Sequence, residues 1–245
     1  MTDYKNLLTE AIDRFRGRHR TTAKFRAALV DMDGTLYNSM VNHTAAWHRM
    51  MTELGINEPR DSYYLFEGMT GRQTINTLFN KYLNREASPE EIEEYYRRKT
   101  VYFTQLPAVD PMPGAASLLS GLKAANWQCV LVTGSGQRTL IDRLQRDFPG
   151  VFDEDKMITS RDVARGKPHP EPYLKAMQLA QVAPSEAVVI ENAPLGVEAG
   201  AKSGAFTIGL TTGPIPADAL ASAGADIVLP SMQALADLSL TLRTY

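Results

Sequence analysis

Ala27-Ala28-Leu29-Val30-Asp31-Met32-Asp33-Gly34-Thr35-Leu36 begins as a short apolar run and then presents two acids separated by one residue. A run this short, apolar throughout, reads as a strand buried on both faces. Similar runs recur at Cys129 to Val132, Ala187 to Ile190, Phe206 to Leu210 and Ile227 to Leu229. Helical patterns lie between them. Leu140, Leu144 and Phe148 repeat after Gly136, and Tyr173, Met177 and Ala180 repeat after Pro172. Strands alternating with helices imply an α/β fold: a doubly wound parallel, Rossmann-like sheet core with helices on both faces.

The alternation breaks between residues 40 and 108. Helices are expected there near 41–54, closed by Gly55, near 71–84, and from Ser88 onward. At Ser88, Pro89 takes the first helical position and Glu91 completes a capping box. The proline-rich segment Pro107 to Gly114 returns the chain to the alternating pattern. The expected organisation is a helical extension over 1–24, a catalytic core over 25–39 and 109–245, and a small helical cap over 40–108 inserted after the first strand. In the extension, Leu7, Leu8, Ile12 and Phe15 fall near helical spacing, and the basic stretch Arg14 to Arg26 reads as a solvated linker rather than a nucleic-acid arm.

The totals narrow the function. The 245 residues are 44 % hydrophobic and 22 % charged, with a net charge of −2, a balance that recruits neither nucleic acid nor an anionic membrane surface. No apolar stretch approaches the roughly 20 residues needed to span a bilayer. Thr2-Asp3-Tyr4-Lys5-Asn6 has no signal-peptide core, so a cytoplasmic location is expected by default. The single cysteine, Cys129, lies in an apolar run and reads as a buried structural thiol. Nothing bears on oligomeric state, and a monomer satisfies the sequence.

The chemistry gathers at strand ends. In open α/β sheets ligands bind beyond the carboxyl ends of the strands, so Asp31 and Asp33 should enter one site, with Gly34 permitting the turn that places them. One carboxylate can attack phosphorus while the other protonates the leaving oxygen and then activates water. Thr133-Gly134-Ser135-Gly136 ends the second run, and Thr133 can offer its hydroxyl and backbone N–H to a phosphoryl oxygen. Lys167, in a stiff loop with Pro168, Pro170 and Pro172, can neutralise phosphoryl charge. Glu191 and Asn192 are hard oxygen donors suited to Mg²⁺. Taken singly, the Thr133 segment also reads as an ordinary strand-to-helix turn, Lys167 as a surface lysine, and Glu191-Asn192 as a polar cap for the next helix.

Together, from about Phe25 to the C-terminus, these motifs resemble those of the haloacid dehalogenase superfamily, and within it the β-phosphoglucomutase-like group. The resemblance implies Asp31 as nucleophile, Asp33 as general acid/base, and Thr133, Gly134 and Lys167 around the phosphoryl group. It places Mg²⁺ among Asp31, the Asp33 carbonyl, Glu191 and Asn192. It implies a phosphohydrolase acting on a small phosphorylated compound through an aspartyl-phosphate, with a phosphosugar mutase as the alternative. His43 matches a cap-side histidine of the mutases, and it equally fits a satisfied polar side chain on a helix.

Three departures stand out. Asn38 replaces an aspartate and keeps a helix-start role. Asn192 replaces the second acid of the metal motif. Glu67 stands where the mutases carry a cationic substrate loop. Either Glu67 is a solvated loop carboxylate, or it reaches the Mg²⁺ shell and restores the charge lost at Asn192. The second reading leaves little room for a bulky leaving group and favours inorganic pyrophosphate, a preference also implied by likeness to a pyrophosphatase of the same group.

Overall fold

A computed structural model describes residues 3–136, 138–152 and 155–245, with the side chains of 138–142 also outside the description. Its sheet holds β1 (Ala27–Val30), β2 (Gln128–Val132), β3 (Met157–Ile158), β4 (Ala187–Glu191), β5 (Phe206–Leu210) and β6 (Ile227–Leu229). The order is β3-β2-β1-β4-β5-β6, with parallel pairing throughout. All of the apolar runs are strands. The additional β3 spans two residues, too short for a hydrophobic period to register.

The sheet is covered by α1 (Tyr4–His19), α5 (Ala115–Ala124), α6 (Arg138–Asp147), α7 (Glu171–Ala180), α8 (Pro194–Ser203), α9 (Ala217–Ser222), α10 (Met232–Asp237) and α11 (Ser239–Thr244). Leu144 and Phe148 are buried as their repeat requires; the side chain of Leu140 lies outside the described residues. Cys129 is buried, and burial pushes its thiol up to about 12, as an inert core thiol should behave. Among the described residues no helix is long and apolar enough to cross a membrane.

The basic stretch from Arg14 to Arg26 is solvated as expected, with Arg14, Arg18, Arg20, Lys24 and Arg26 exposed, but its first part is corrected from linker to helix. Helix α1 continues through His19, because Leu8, Ile12 and Phe15 form one stripe buried against the core. Each such side chain contributes about 2 kcal/mol. Phe15 meets the Phe206 ring edge-on at 5.4 Å. Arg16 donates to the Tyr245 carbonyl at 2.6 Å, which ties the extension to the last residue of the chain.

Between β1 and β2 lies a helical insert of α2 (Met40–Glu53), a 3₁₀ turn (Arg60–Phe66), α3 (Gly71–Leu83) and α4 (Pro89–Thr104). It has its own apolar cluster around Trp47, Met50, Ile75, Leu78 and Ile92. The capping box at Ser88 and Glu91 is formed, and Thr70 and Gln73 make a second at the start of α3. The chain leaves and re-enters the core along adjacent paths. Asn38 N–H donates to the Asp110 carbonyl at 3.0 Å, and Met112 N–H to the Leu36 carbonyl at 2.8 Å.

Candidate active site

Register builds the site. Val30 pairs with Leu131 on one side and Ile190 on the other, so Asp31, Thr133 and Glu191 emerge together at the carboxyl edge. Here the sheet order reverses, the place where open α/β sheets bind ligands. Asp31 N–H donates to the Ile190 carbonyl at 3.1 Å, and its side chain turns into a buried charge cluster. Lys167 Nζ donates to Asp31 Oδ1 at 2.5 Å, Glu191 Oε1 at 2.6 Å and the Val132 carbonyl at 3.0 Å. Lys167 is 1 % exposed, so it is a core ion partner and not a surface lysine. Burial works against its charge, yet Asp31 and Glu191 together raise its pKa.

Asp33 sits beside this cluster. Gly34, at φ +80°, makes the turn that follows it. Ser39 Oγ donates to Asp33 Oδ1 at 2.6 Å, and His43 Nε2 lies 3.0 Å from the same oxygen. Burial works to raise the Asp33 carboxyl, but His43 and Ser39 overcome it and hold the group below its usual range. The helix-start role expected for Asn38 is corrected: Ser39 precedes α2, and its hydroxyl is directed to Asp33 without capping the helix.

His43 is itself held from behind. Lys99 Nζ lies 2.6 Å from His43 Nδ1 and packs against the rings of Trp47, Tyr96 and Phe103. With Lys99 donating, Nδ1 accepts and Nε2–H faces Asp33. Burial and then the Lys99 charge lower the His43 pKa, and burial brings Lys99 down to about 7. Lys99 escaped the sequence reading, although Ile92, Tyr96, Lys99 and Phe103 share one helical stripe and a lysine on such a stripe is a legible signal.

Thr133 Oγ accepts the Ser135 N–H at 2.9 Å, which leaves the hydroxyl proton for a ligand. Its backbone N–H donates to the Ile158 carbonyl at 2.9 Å, so the expectation that this N–H serves a phosphoryl group is corrected: sheet pairing with β3 uses it. Gln137, just ahead of α6, lies outside the described residues.

Glu67 is no solvated carboxylate. It is 6 % exposed, and its Oε1 accepts from Asn192 Nδ2 at 2.7 Å. Asn192 Oδ1 in turn accepts from Thr35 Oγ at 2.9 Å. Burial, with the charges of Asp31, Glu191 and Asp33, pushes Glu67 well above the carboxylate range, against the pull of the Asn192 amide. Burial and the Glu191 charge push Asp31 up to about 8, with Lys167 opposing. The site therefore holds more negative charge than its cations neutralise. Among the described residues no three acidic, imidazole or thiol groups form a ready-made ligand set, and Lys167 occupies the space between Asp31 and Glu191. The hard oxygens and the uncompensated charge nevertheless fit a small divalent cation.

Over the site the insert leaves a cavity of about 50 Å³, walled by Trp47, Phe66, Met69, Tyr96 and Lys99 and floored by Asp31, Asp33, Thr133 and Gly134. Its loop 68–70 lies directly on the core, and Gln73 Nε2 donates to the Lys167 carbonyl at 3.2 Å.

A profile for haloacid dehalogenase-like hydrolases matches residues 28–210. A validoxylamine A 7'-phosphate phosphatase of Streptomyces hygroscopicus subsp. limoneus is 33 % identical over 85 % of this chain and 94 % of its own. A β-phosphoglucomutase of Bacillus subtilis is 25 % identical over 77 % of this chain and 84 % of its own. A solved structure described as a putative β-phosphoglucomutase from Bacteroides vulgatus superposes with a TM-score of 0.93, at 40 % identity over 98 % of both chains.

Proposed function

The chain belongs to the haloacid dehalogenase-like hydrolase family, among relatives that process phosphorylated compounds, and from that premise we propose a Mg²⁺-dependent phosphohydrolase working through an aspartyl-phosphate on Asp31. The observation that carries the reading is the buried Lys167 ammonium shared between Asp31 and Glu191 at the point where the sheet reverses. Such an arrangement steadies a carboxylate nucleophile and screens the phosphoryl group it attacks.

Asp31 attacks phosphorus with its free oxygen. Asp33 in its protonated form donates to the leaving oxygen, and the Ser39 hydroxyl and His43 Nε2–H stabilise the carboxylate that results. Asp33, held ionised by Ser39 and His43, then takes a proton from the water that attacks the aspartyl-phosphate, releasing phosphate and regenerating Asp31. Thr133 donates its hydroxyl to a phosphoryl oxygen, and Gly134 lets the phosphoryl group lie close to the backbone. Asp31, the Asp33 carbonyl, Asn192 Oδ1 and Glu67 would hold Mg²⁺, with the Glu191 charge behind them. When bound, the ion screens the repulsion between the carboxylate and the phosphate dianion. The insert acts as a cap that excludes water from the site.

The substrate is compact. The insert walls the cavity with Trp47, Phe66 and Tyr96, and Glu67 reaching into the site favours inorganic pyrophosphate. The mutase reading draws on the names of relatives and on His43 facing Asp33. Against it, Glu67 would repel the distal phosphate of a sugar bisphosphate.

The test is phosphate release from pyrophosphate, β-glucose 1-phosphate and small phosphomonoesters, with and without Mg²⁺, using Asp31→Asn as control. Mg²⁺-dependent release, strongest with pyrophosphate and lost in Asp31→Asn, is the expected result. Conversion of β-glucose 1-phosphate to the 6-phosphate, with little hydrolysis of anything, overturns it in favour of the mutase.

A further inference from the structure

Tyr173 lies on α7, six residues beyond Lys167, and is fully buried. Its ring packs among Leu29, Val130, Val132 and Met177, where a phenylalanine would serve as well. The hydroxyl is what a core residue does not require. It donates to Glu191 Oε1 at 2.8 Å, the oxygen that also accepts from Lys167 at 2.6 Å. The Lys167 ammonium lies 5.3 Å from the centroid of the same ring, within reach of a cation–π attraction. One side chain thus touches both members of the pair that faces Asp31.

The other Glu191 oxygen is equally committed. Oε2 accepts the backbone N–H of Asn192 at 3.0 Å and of Ala193 at 3.3 Å. A carboxylate offers about four acceptor positions, and protein donors fill them all. Glu191 is therefore held in one orientation, and its role toward Asp31 is to fix where the Lys167 ammonium stands. Without the Tyr173 hydroxyl, Oε1 keeps only the lysine. The pair is then free to shift toward each other and away from Asp31.

We propose that Tyr173 is a positioning residue for phosphoryl transfer: its hydroxyl orients Glu191 and its ring seats Lys167, so that the ammonium is placed on Asp31 and on the phosphoryl group. The proposal rests on the phosphohydrolase reading. It adds a residue that contacts neither substrate nor Mg²⁺, and whose loss acts on the bound phosphoryl group more than on the resting fold.

The test compares wild type with Tyr173→Phe, which keeps the ring, and with Met177→Leu, a core change in the same cluster that serves as a stability control. The probe is beryllium trifluoride with Mg²⁺, a mimic of the phosphoryl group on an aspartate, with affinity read by titration calorimetry. Steady-state kcat and KM and thermal unfolding are measured alongside. The expected result is a loss of about tenfold to a hundredfold in beryllium trifluoride affinity and in kcat for Tyr173→Phe, with KM changed less than about twofold. Met177→Leu, at comparable Tm, retains both. Unaltered affinity and kcat in Tyr173→Phe, with only Tm lowered, overturn the proposal and leave Tyr173 a core residue. Absence of beryllium trifluoride binding to the wild type overturns the phosphohydrolase reading itself, and the proposal with it.

Discussion

Glu67, carried by the insert, accepts a hydrogen bond from the Asn192 side-chain amide of the core at 2.7 Å. An aspartate at 192 would set a second carboxylate against Glu67, and like charges at that distance oppose each other strongly. The amide lets an acidic insert residue enter the site. Asn192→Asp is expected to lower kcat/KM by roughly tenfold to a hundredfold. Adding Glu67→Gln exchanges amide and carboxylate and restores both the hydrogen bond and the total charge. A double-mutant cycle measures the coupling. Recovery of most of the lost activity is predicted, whereas simply additive losses would show that the two side chains act independently.

Lys99 predicts a pH dependence of stability. Burial lowers its pKa from 10.5 to about 7, with Asp33 opposing. It faces His43 on α2, Asp33 after β1, and Tyr96 on its own helix. Between these two values the folded chain has released a proton that the unfolded chain still binds, so this group makes stability rise with pH across that window. Lys99→Met abolishes the titration. From pH 7 to 10 the unfolding free energy of wild type should gain on that of the variant by on the order of 3 kcal/mol. A difference independent of pH would mean that Lys99 keeps its charge throughout.

Gly134 and Gly166 serve the seating of the insert. Neither has a positive φ, so backbone conformation does not demand glycine. A Cβ on Gly134 would fall 2.6 Å from the Gly68 carbonyl oxygen, and one on Gly166 2.3 Å from Gln73 Oε1. Gly134→Ala meets backbone oxygens and should cost more than about 1 kcal/mol of stability, while Gly166→Ala meets the movable end of Gln73 and should cost less. Both should lose activity and expose the loop 67–70 to limited proteolysis. Full activity in both variants would contradict the tight seating.

Much of this was legible because the core obeys simple periodicities. Runs such as Ala187 to Ile190 are apolar on both faces only if the sheet is covered twice, and the acids that follow them necessarily gather at one edge. What escaped reading depends on long-range contact. Two residues of β3 carry no period, yet they claim the Thr133 N–H. The arginines at 14 and 18 are solvated as they look, but they are helical because the Leu8–Ile12–Phe15 stripe finds the core and carries the helix through them. Lys99 and Tyr173 each lie on an apolar helical stripe, and only the fold brings one to His43 and the other to Glu191.

The central claim is a covalent phosphoryl group on Asp31. The most direct measurement is borohydride trapping during turnover of pyrophosphate with Mg²⁺, followed by peptide mass spectrometry, because reduction converts an aspartyl-phosphate to homoserine. Homoserine at position 31, dependent on substrate and confined to that residue, is the predicted result. Steady phosphate release with unmodified Asp31, and activity surviving in Asp31→Asn, would contradict the account.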